Sequence, residues 1–475
     1  MKRIILFGAG KNGLKALKKY GKENVAYFCD NDNSKQGTFI EDIEVISFEK
    51  LQQLELSQYN IVITPGNYTL LIAQLEFAGI NNFSVLSNDG LLCDIEKNLP
   101  IYKTNNDKLR AYANLSGDKE LLEDVSRFKL VVKNFMEEYK QNKISSVYYG
   151  YEKEGHHYGN LNNLLEYAGV KNDFNLIYSP FVSHMDCDFN FNAIHSSLTA
   201  VVFSGDFCKK KIREYYPYNP VFTVGPYIHY AKGVYTADEI KSIKEKNGKT
   251  LLVYLPHSLE YVSRDYKKED FIDEVLKLYS DKYNTFILCV YWADILDAVC
   301  DYAESKGFKI VTNGFRFDQR FNSRQKSLLE IADAVVGGDV GTHIGFAIHM
   351  NLPIGRVGIS DNTTLWDKEF SSDIEKRLIK NEIRTKYFEE FYKIFDSNIR
   401  SDSTQKQWID PYQGFANIRT PEYIKGIFEI CKDIWLECNG AYKYYPESVF
   451  KLLNKYDENN DWDKYFILKE SLDMI

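Results

Sequence analysis

The run Gly8-Ala9-Gly10-Lys11-Asn12-Gly13 follows the apolar, β-branched segment Arg3 to Phe7 and precedes Leu14 to Tyr20, whose apolar residues fall at helical spacing. A G-x-G-x-x-G run between a strand and a helix confines the chain to a tight βα turn. Its glycines let the backbone bend sharply and let the helix pack closely on the strand. A second strand, Val25 to Cys29, ends at Asp30, seventeen residues past Gly13. Parallel neighbours joined by a crossover helix are the expected outcome, a Rossmann-type α/β unit.

The alternation of short β-branched runs with helical patterns continues at Ile43 to Ile46, Ile61 to Thr64, a helix through Leu70 to Phe77, and Phe83 to Leu86. It loosens near 95–120 and restarts with a helix at Leu121 to Lys140. Strands are then expected at Ser145 to Tyr149, Leu176 to Tyr178, Ala200 to Phe203 and Val221 to Val224. The charged stretch Ala231 to Lys249 reads as a connector. Beyond it come strands Thr250 to Leu255, Thr285 to Val290, Lys309 to Val311 and Ala334 to Val336, and after about residue 375 the pattern is helical and aromatic. At 475 residues several cores are needed. Three α/β units are predicted, over 1–100, 101–240 and 241–475, the last with a helical C-terminal segment.

Composition removes several functional classes. Net charge is −8 and the basic residues are scattered, which excludes a nucleic-acid footprint. The first apolar run reaches only Phe7 before Gly8, and no run approaches the ~20 residues that cross a bilayer. Eight dispersed cysteines without a C-x-x-C pair indicate reduced thiols. A cytoplasmic protein with at most peripheral membrane association is expected. There is no G-x-S-x-G elbow, G-x-x-x-x-G-K-[ST] loop or H-E-x-x-H helix, which argues against hydrolase, P-loop and zincin chemistry.

The front segment, with Cys29-Asp30-Asn31-Asp32, Gly37 and Ile43 to Ser47, resembles the short Rossmann domains at the front of bacterial sugar-modifying enzymes. The resemblance implies NAD or a nucleotide on Gly8, Gly10, Gly13, Asp30 and Asp32, with a scaffold or substrate-sensing remnant as the alternative. Asp30-Asn31-Asp32 also spells D-x-D, but its place after a second strand favours ribose contact or structure.

A second glycine loop, Val340-Gly341-Thr342-His343-Ile344-Gly345, follows the strand Ala334 to Val336 and opens a helix that closes at Asn351-Leu352-Pro353. It resembles the donor-side loop of GT-B glycosyltransferases of bacterial surface-polysaccharide synthesis. The resemblance implies two Rossmann-like domains in a GT-B arrangement after the front unit, with the donor diphosphate on Gly341, Thr342, His343 and Gly345. The family's Lys before the closing Pro and its acidic ribose residue are both missing. Similar segments add His257 and Ser258 after a strand, Trp292 for a base, and Arg316 and Arg324 for phosphate. Against these stand ordinary roles: a capping His343, a packing His349, a core Trp292 and a surface Arg.

In the middle unit Glu154-Gly155-His156-His157 and Ser183-His184-Met185-Asp186 offer groups that can take a proton from an acceptor hydroxyl. His156, His157 and Asp186 are therefore the catalytic candidates, with helix-capping loop residues as the alternative. The expected activity is transfer of a sugar from a nucleotide-sugar donor to a glycan or lipid-linked glycan acceptor, with no metal and no cofactor required for transfer. The rivals are an NAD-dependent oxidoreductase or epimerase of nucleotide sugars and a non-catalytic nucleotide-sugar sensor or scaffold.

Overall fold

A computed structural model describes residues 2–65, 71, 74–75, 78–80, 82–86, 92–94, 118–142, 157–170, 181–182, 200–215, 218–256, 262–315, 318–358, 362–365, 389–438 and 446–474. The strands expected at Ser145 to Tyr149 and Leu176 to Tyr178, and most of the helix expected from Leu70 to Phe77, lie outside them.

The first sheet contains β1 (Arg3–Phe7), β2 (Val25–Cys29), β3 (Phe39–Ile40), β4 (Ile43–Ile46), β5 (Tyr59–Ile63), β6 (Phe83–Leu86) and β7 (Leu92–Asp94), in the order β3-β4-β2-β1-β5-β6-β7. Every pairing is parallel except those of β3 with β4 and β6 with β7 at the two edges. The order reverses at β1, which has β2 on one side and β5 on the other. The glycine turn after β1 therefore stands at a switch point, where open α/β sheets leave a crevice.

A second sheet contains β8 (Phe181–Val182), β9 (Val201–Phe203) and β10 (Val221–Thr223), paired in parallel in the order β10-β9-β8. The chain then runs through β11 (Thr250–Tyr254), β12 (Val262–Asp265), β13 (Thr285–Cys289), β14 (Phe308–Val311), β15 (Ala334–Gly337), β16 (Ile354–Arg356) and β17 (Asn362–Leu365). Five of these make a third parallel sheet, β14-β13-β11-β15-β16, while β12 and β17 pair as a separate antiparallel ribbon. The switch point of the third sheet lies between β11 and β15.

The third sheet is apolar on both faces, as buried parallel strands are. Alternate residues feed two cores: Leu251, Val253, Ala334 and Val336 pack with Phe271 and Trp292, whereas Leu252, Val335 and Ile354 pack with Ile344 and Phe346. The second of these cores continues into the middle sheet through Val202 and Phe222, and into the helical tail through Ile427 and Ile430. Middle and third sheets thus share one apolar interior.

Two segments differ from expectation. The stretch taken for a connector carries a helix, Ala237–Asn247, because Thr236 accepts from the Glu239 N–H while Glu239 accepts from the Thr236 N–H, a reciprocal cap. The helix expected from Leu121 to Lys140 is two, Glu120–Glu123 and Ser126–Asn142, parted where Asp124 accepts from the Ser126 N–H at 2.9 Å. The helical tail follows the third unit in sequence but is tied to the middle one. Arg419 donates to the Thr223 carbonyl at 3.0 Å and pairs with Glu470, while Lys209 and Arg213 pair with Asp473 at 2.6 and 2.8 Å. Among the described residues no helix is long and apolar enough to cross a membrane.

Candidate functional site

A cleft opens where the middle and third units meet. Its walls are Tyr158, Asn160, Ser204 and Tyr227 on one side and Phe321, Asn322, Gln325, Thr342 and Phe346 on the other. Ser204 immediately follows β9, so it stands at the strand's C-terminal end, where ligands of parallel sheets bind. Asn160 begins the helix Asn160–Tyr167, and the approach to it is tight. Tyr158 has φ +57°, Gly159 has φ +72°, and a side chain at Gly159 would strike the Gln319 carbonyl. The crossing is fixed by Asn322, whose Nδ2 donates to Asn160 Oδ1 at 2.7 Å with both residues buried, and by the rings of Tyr158 and Phe321, 4.7 Å apart.

The lining holds no charged side chain. Three carboxamides, two hydroxyls of Ser and Thr, and aromatic rings make up most of it. Carboxamides both donate and accept, and rings cover apolar C–H faces, so such a wall suits a hydroxyl-rich ring better than an ion.

Beside the cleft, the loop after β15 opens the helix Thr342–His349, whose first turn carries no acid and whose N-cap, Gly341, offers no side chain. The loop's glycines are explained by protein neighbours. A side chain at Gly337 or Gly341 would meet the His343 ring at 2.7 Å, one at Gly338 would meet Pro256 at 2.6 Å, and one at Gly345 would collide with Gln413. His343 lies stacked on Tyr254, centroids 4.4 Å apart at 24°, and its half-buried ring is fixed against β11. Thr342 is the loop residue that reaches the cleft.

The structure distributes the other sequence candidates widely. Trp292 is 3% exposed, packed edge-on against Phe315 at 4.7 Å in the core, so it has no face for a base. Arg324 is 1% exposed: its guanidinium pairs with Asp318 at 2.7 Å and donates to the Asn313 carbonyl at 2.8 Å, which commits it to the loop after β14 and away from a ligand phosphate. Both corrections have one cause. The helix Phe321–Ile331 turns Asn322 and Gln325 toward the cleft and therefore turns Arg324 to its other side. His157 begins a 3-10 turn, His157–Gly159, that leads directly into the cleft wall. His156, Asp186, His257, Ser258 and Arg316 lie outside the described residues.

His349 closes the glycine-loop helix. Its ring faces His229 at 5.5 Å and Phe415 at 6.1 Å, so it packs. Burial, then the charges of His229, Lys326 and Lys406, lower its pKa to about 4.

In the front turn, Gly8 has φ +119°, and a side chain at Gly13 would run into the Gly8 carbonyl, whereas one at Gly10 would meet nothing within 4 Å. Asp30 is committed: Oδ2 accepts from the Ala9 N–H at 2.7 Å and from Lys35 at 3.0 Å, and Oδ1 accepts from the Asp32 N–H at 2.9 Å. Asp32 in turn accepts from Ser34. These carboxylates brace the turn, the structural alternative to ribose contact.

Asn160, Ser204, Tyr227, Asn322 and Gln325 were not among the sequence candidates. Three of them fall inside or at the end of segments that the sequence does mark, Glu154 to Asn160, Ser204 to Asp206 and Gly225 to Tyr230. The other two share a helix with Arg324, and nothing but helical phase distinguishes them from it.

No protein-family model matches the chain, and no curated protein matches it. Solved structures show distant likeness. One is the S. aureus MnaA–UDP co-structure, at 9% identity and TM-score 0.28, covering 97% of each chain. Another is the wall teichoic acid polymerase TagF soaked with CDPG, at 12% identity and TM-score 0.28, covering 90% of this chain and 88% of that one. A third is Arabidopsis thaliana UGT89C1 complexed with UDP-L-rhamnose, at 10% identity and TM-score 0.26, covering 96% and 99%. At these scores the likenesses carry no argument about activity.

Proposed function

We propose that the chain transfers a sugar from a nucleotide-sugar donor, held by the third unit, to a surface-glycan or lipid-linked glycan acceptor reaching in over the middle unit. The observation that carries this is the uncharged, carboxamide-lined cleft between the two units, with the head of the Thr342–His349 helix at its edge. The acceptor oxygen attacks the anomeric carbon, the bond from that carbon to the diphosphate oxygen breaks, and the acceptor proton passes to a base. Asn160, Asn322 and Gln325 hold sugar hydroxyls. The first-turn amides beside Thr342 receive charge growing on the leaving diphosphate. His157, next to the cleft wall, with His156 and Asp186, are the bases this proposal calls for.

The test is a thermal-shift screen of the full chain against UDP, GDP, TDP and CMP compounds, followed by donor hydrolysis without acceptor. One nucleotide series should stabilise the protein, and its sugar should be released slowly. Asn322→Ala should lower turnover at least tenfold with the nucleotide's own affinity nearly unchanged, because the carboxamide faces the sugar. Absence of stabilisation by every nucleotide sinks the proposal. Stabilisation without hydrolysis or transfer leaves a sensor.

A further inference from the structure

We propose that Arg356, on the edge strand β16, is the cation of an anion site at the head of the glycine-loop helix, and that the anion is a phosphate or diphosphate group. Register places Tyr254, Gly337 and Arg356 side by side at the C-terminal ends of β11, β15 and β16. Ile354, two residues before Arg356, packs in the core with Ile344 and Phe346 of that helix, so Arg356 shares the helix-facing side of the sheet. The same face at Gly337 is covered by His343, which a side chain there would strike. Arg356 and His343 therefore flank Gly337.

The guanidinium of Arg356 is half-buried and stacked on Tyr392, 4.1 Å from the ring centroid, and its Nε is buried without a hydrogen-bond partner. Its backbone is satisfied, with the N–H donating to the Asp396 carbonyl at 2.6 Å. A rigid, planar, partly desolvated donor with open valences is what bidentate phosphate recognition uses, and leaving it unmade costs the fold. Burial lowers the guanidinium's pKa, with Tyr392 and Asp339 acting against that. Asp339 accepts from the Val340 N–H at 2.8 Å and from the Tyr392 hydroxyl at 3.4 Å, which holds the loop and the stacking ring in place. Arg324, by contrast, has its carboxylate at 2.7 Å. Arg356 is the arginine of this unit that stands ready for an outside anion, and only the identity of that anion as part of a nucleotide sugar rests on the transfer proposal.

The test titrates the full chain with inorganic pyrophosphate, and separately with UDP, by calorimetry, beside Arg356→Met, Arg356→Lys and Tyr392→Ala. Met keeps an apolar stem on Tyr392 and removes the cation. The parent should bind pyrophosphate, Arg356→Met should weaken it at least tenfold, Arg356→Lys should retain part, and Tyr392→Ala should fall between. The unliganded Met variant should melt no lower than the parent. Equal binding of both probes by parent and Met variant overturns the assignment and leaves sugar transfer standing. A Met variant that melts well below the parent while binding normally overturns it in favour of a structural arginine. Failure of the parent to bind pyrophosphate overturns it too. If pyrophosphate binding depends on Arg356 and no nucleotide sugar is bound or hydrolysed, the anion site stands and the transfer proposal falls.

Discussion

The front glycine turn and the loop after β15 look alike in sequence: each follows a parallel strand at a switch point and opens a helix with no acid in its first turn. They are built for different ends. In the front turn Gly13 is forced by the backbone of Gly8, and Gly10 faces open space. In the second loop every glycine from Gly337 to Gly345 is answered by a protein group, His343, Pro256, Phe271 or Gln413. A glycine pattern reports where a backbone must bend or approach, and what it approaches is visible only in the fold.

The sharpest way to break this contrast is a pair of variants in the front turn. Gly13→Val should cost about 3 kcal/mol or more, since a backbone carbonyl cannot step aside. Gly10→Val should change stability by no more than about 0.5 kcal/mol, as an exposed substitution without contacts does. Chemical denaturation of the two variants checks this, and equal losses would show that the open face of Gly10 is closed in solution.

A smaller effect is expected in the second loop. Gly341→Ala should cost about 1–3 kcal/mol by crowding His343, and most of that should vanish in a His343→Ala background, as a double-mutant cycle would show. If the penalty persists without the imidazole, the glycine is there for its backbone and the two loops are more alike than they look.

The smallest effect is on pH dependence. His349 folds with a pKa near 4 against an ordinary 6.5, so between those values the unfolded chain binds more protons. The stabilisation is complete above about pH 6.5 and is lost as pH falls toward 4. Allowing for partial solvent screening it amounts to about 1 kcal/mol. His349→Gln should flatten that part of the stability profile, and no comparable slope should arise from the front turn, which has no histidine.

Strand–helix alternation was legible because parallel strands are apolar on both faces: β2 and β4 fall on the runs read for them, and β11, β13 and β15 differ by a residue at one end. The helix Ala237–Asn247 was missed though its signal was present, Thr236 three residues before Glu239, because a high charge density masks a helix that buries no residue of its own. The cleft was legible only as neighbourhoods. Asn and Gln have no sequence signature for burial, and Arg324 and Gln325 differ in fate by one hundred degrees of helical turn. Arg356 sits in Ile354-Gly355-Arg356, an edge strand whose register no periodicity reveals.

The tie between the tail and the middle sheet has a consequence in time. Arg213 and its partner Asp473 are 260 positions apart, and Lys209 reaches the Glu470 carbonyl across 261. During synthesis, at roughly 5–20 residues per second, the third unit can collapse around its own five strands while the middle sheet still lacks its cover. The middle sheet is therefore the late-maturing part, and its short strands depend on closing a long loop whose entropy must be met first. A nascent chain halted before Arg419 should expose that sheet to chaperones, with the third sheet already protected from hydrogen exchange.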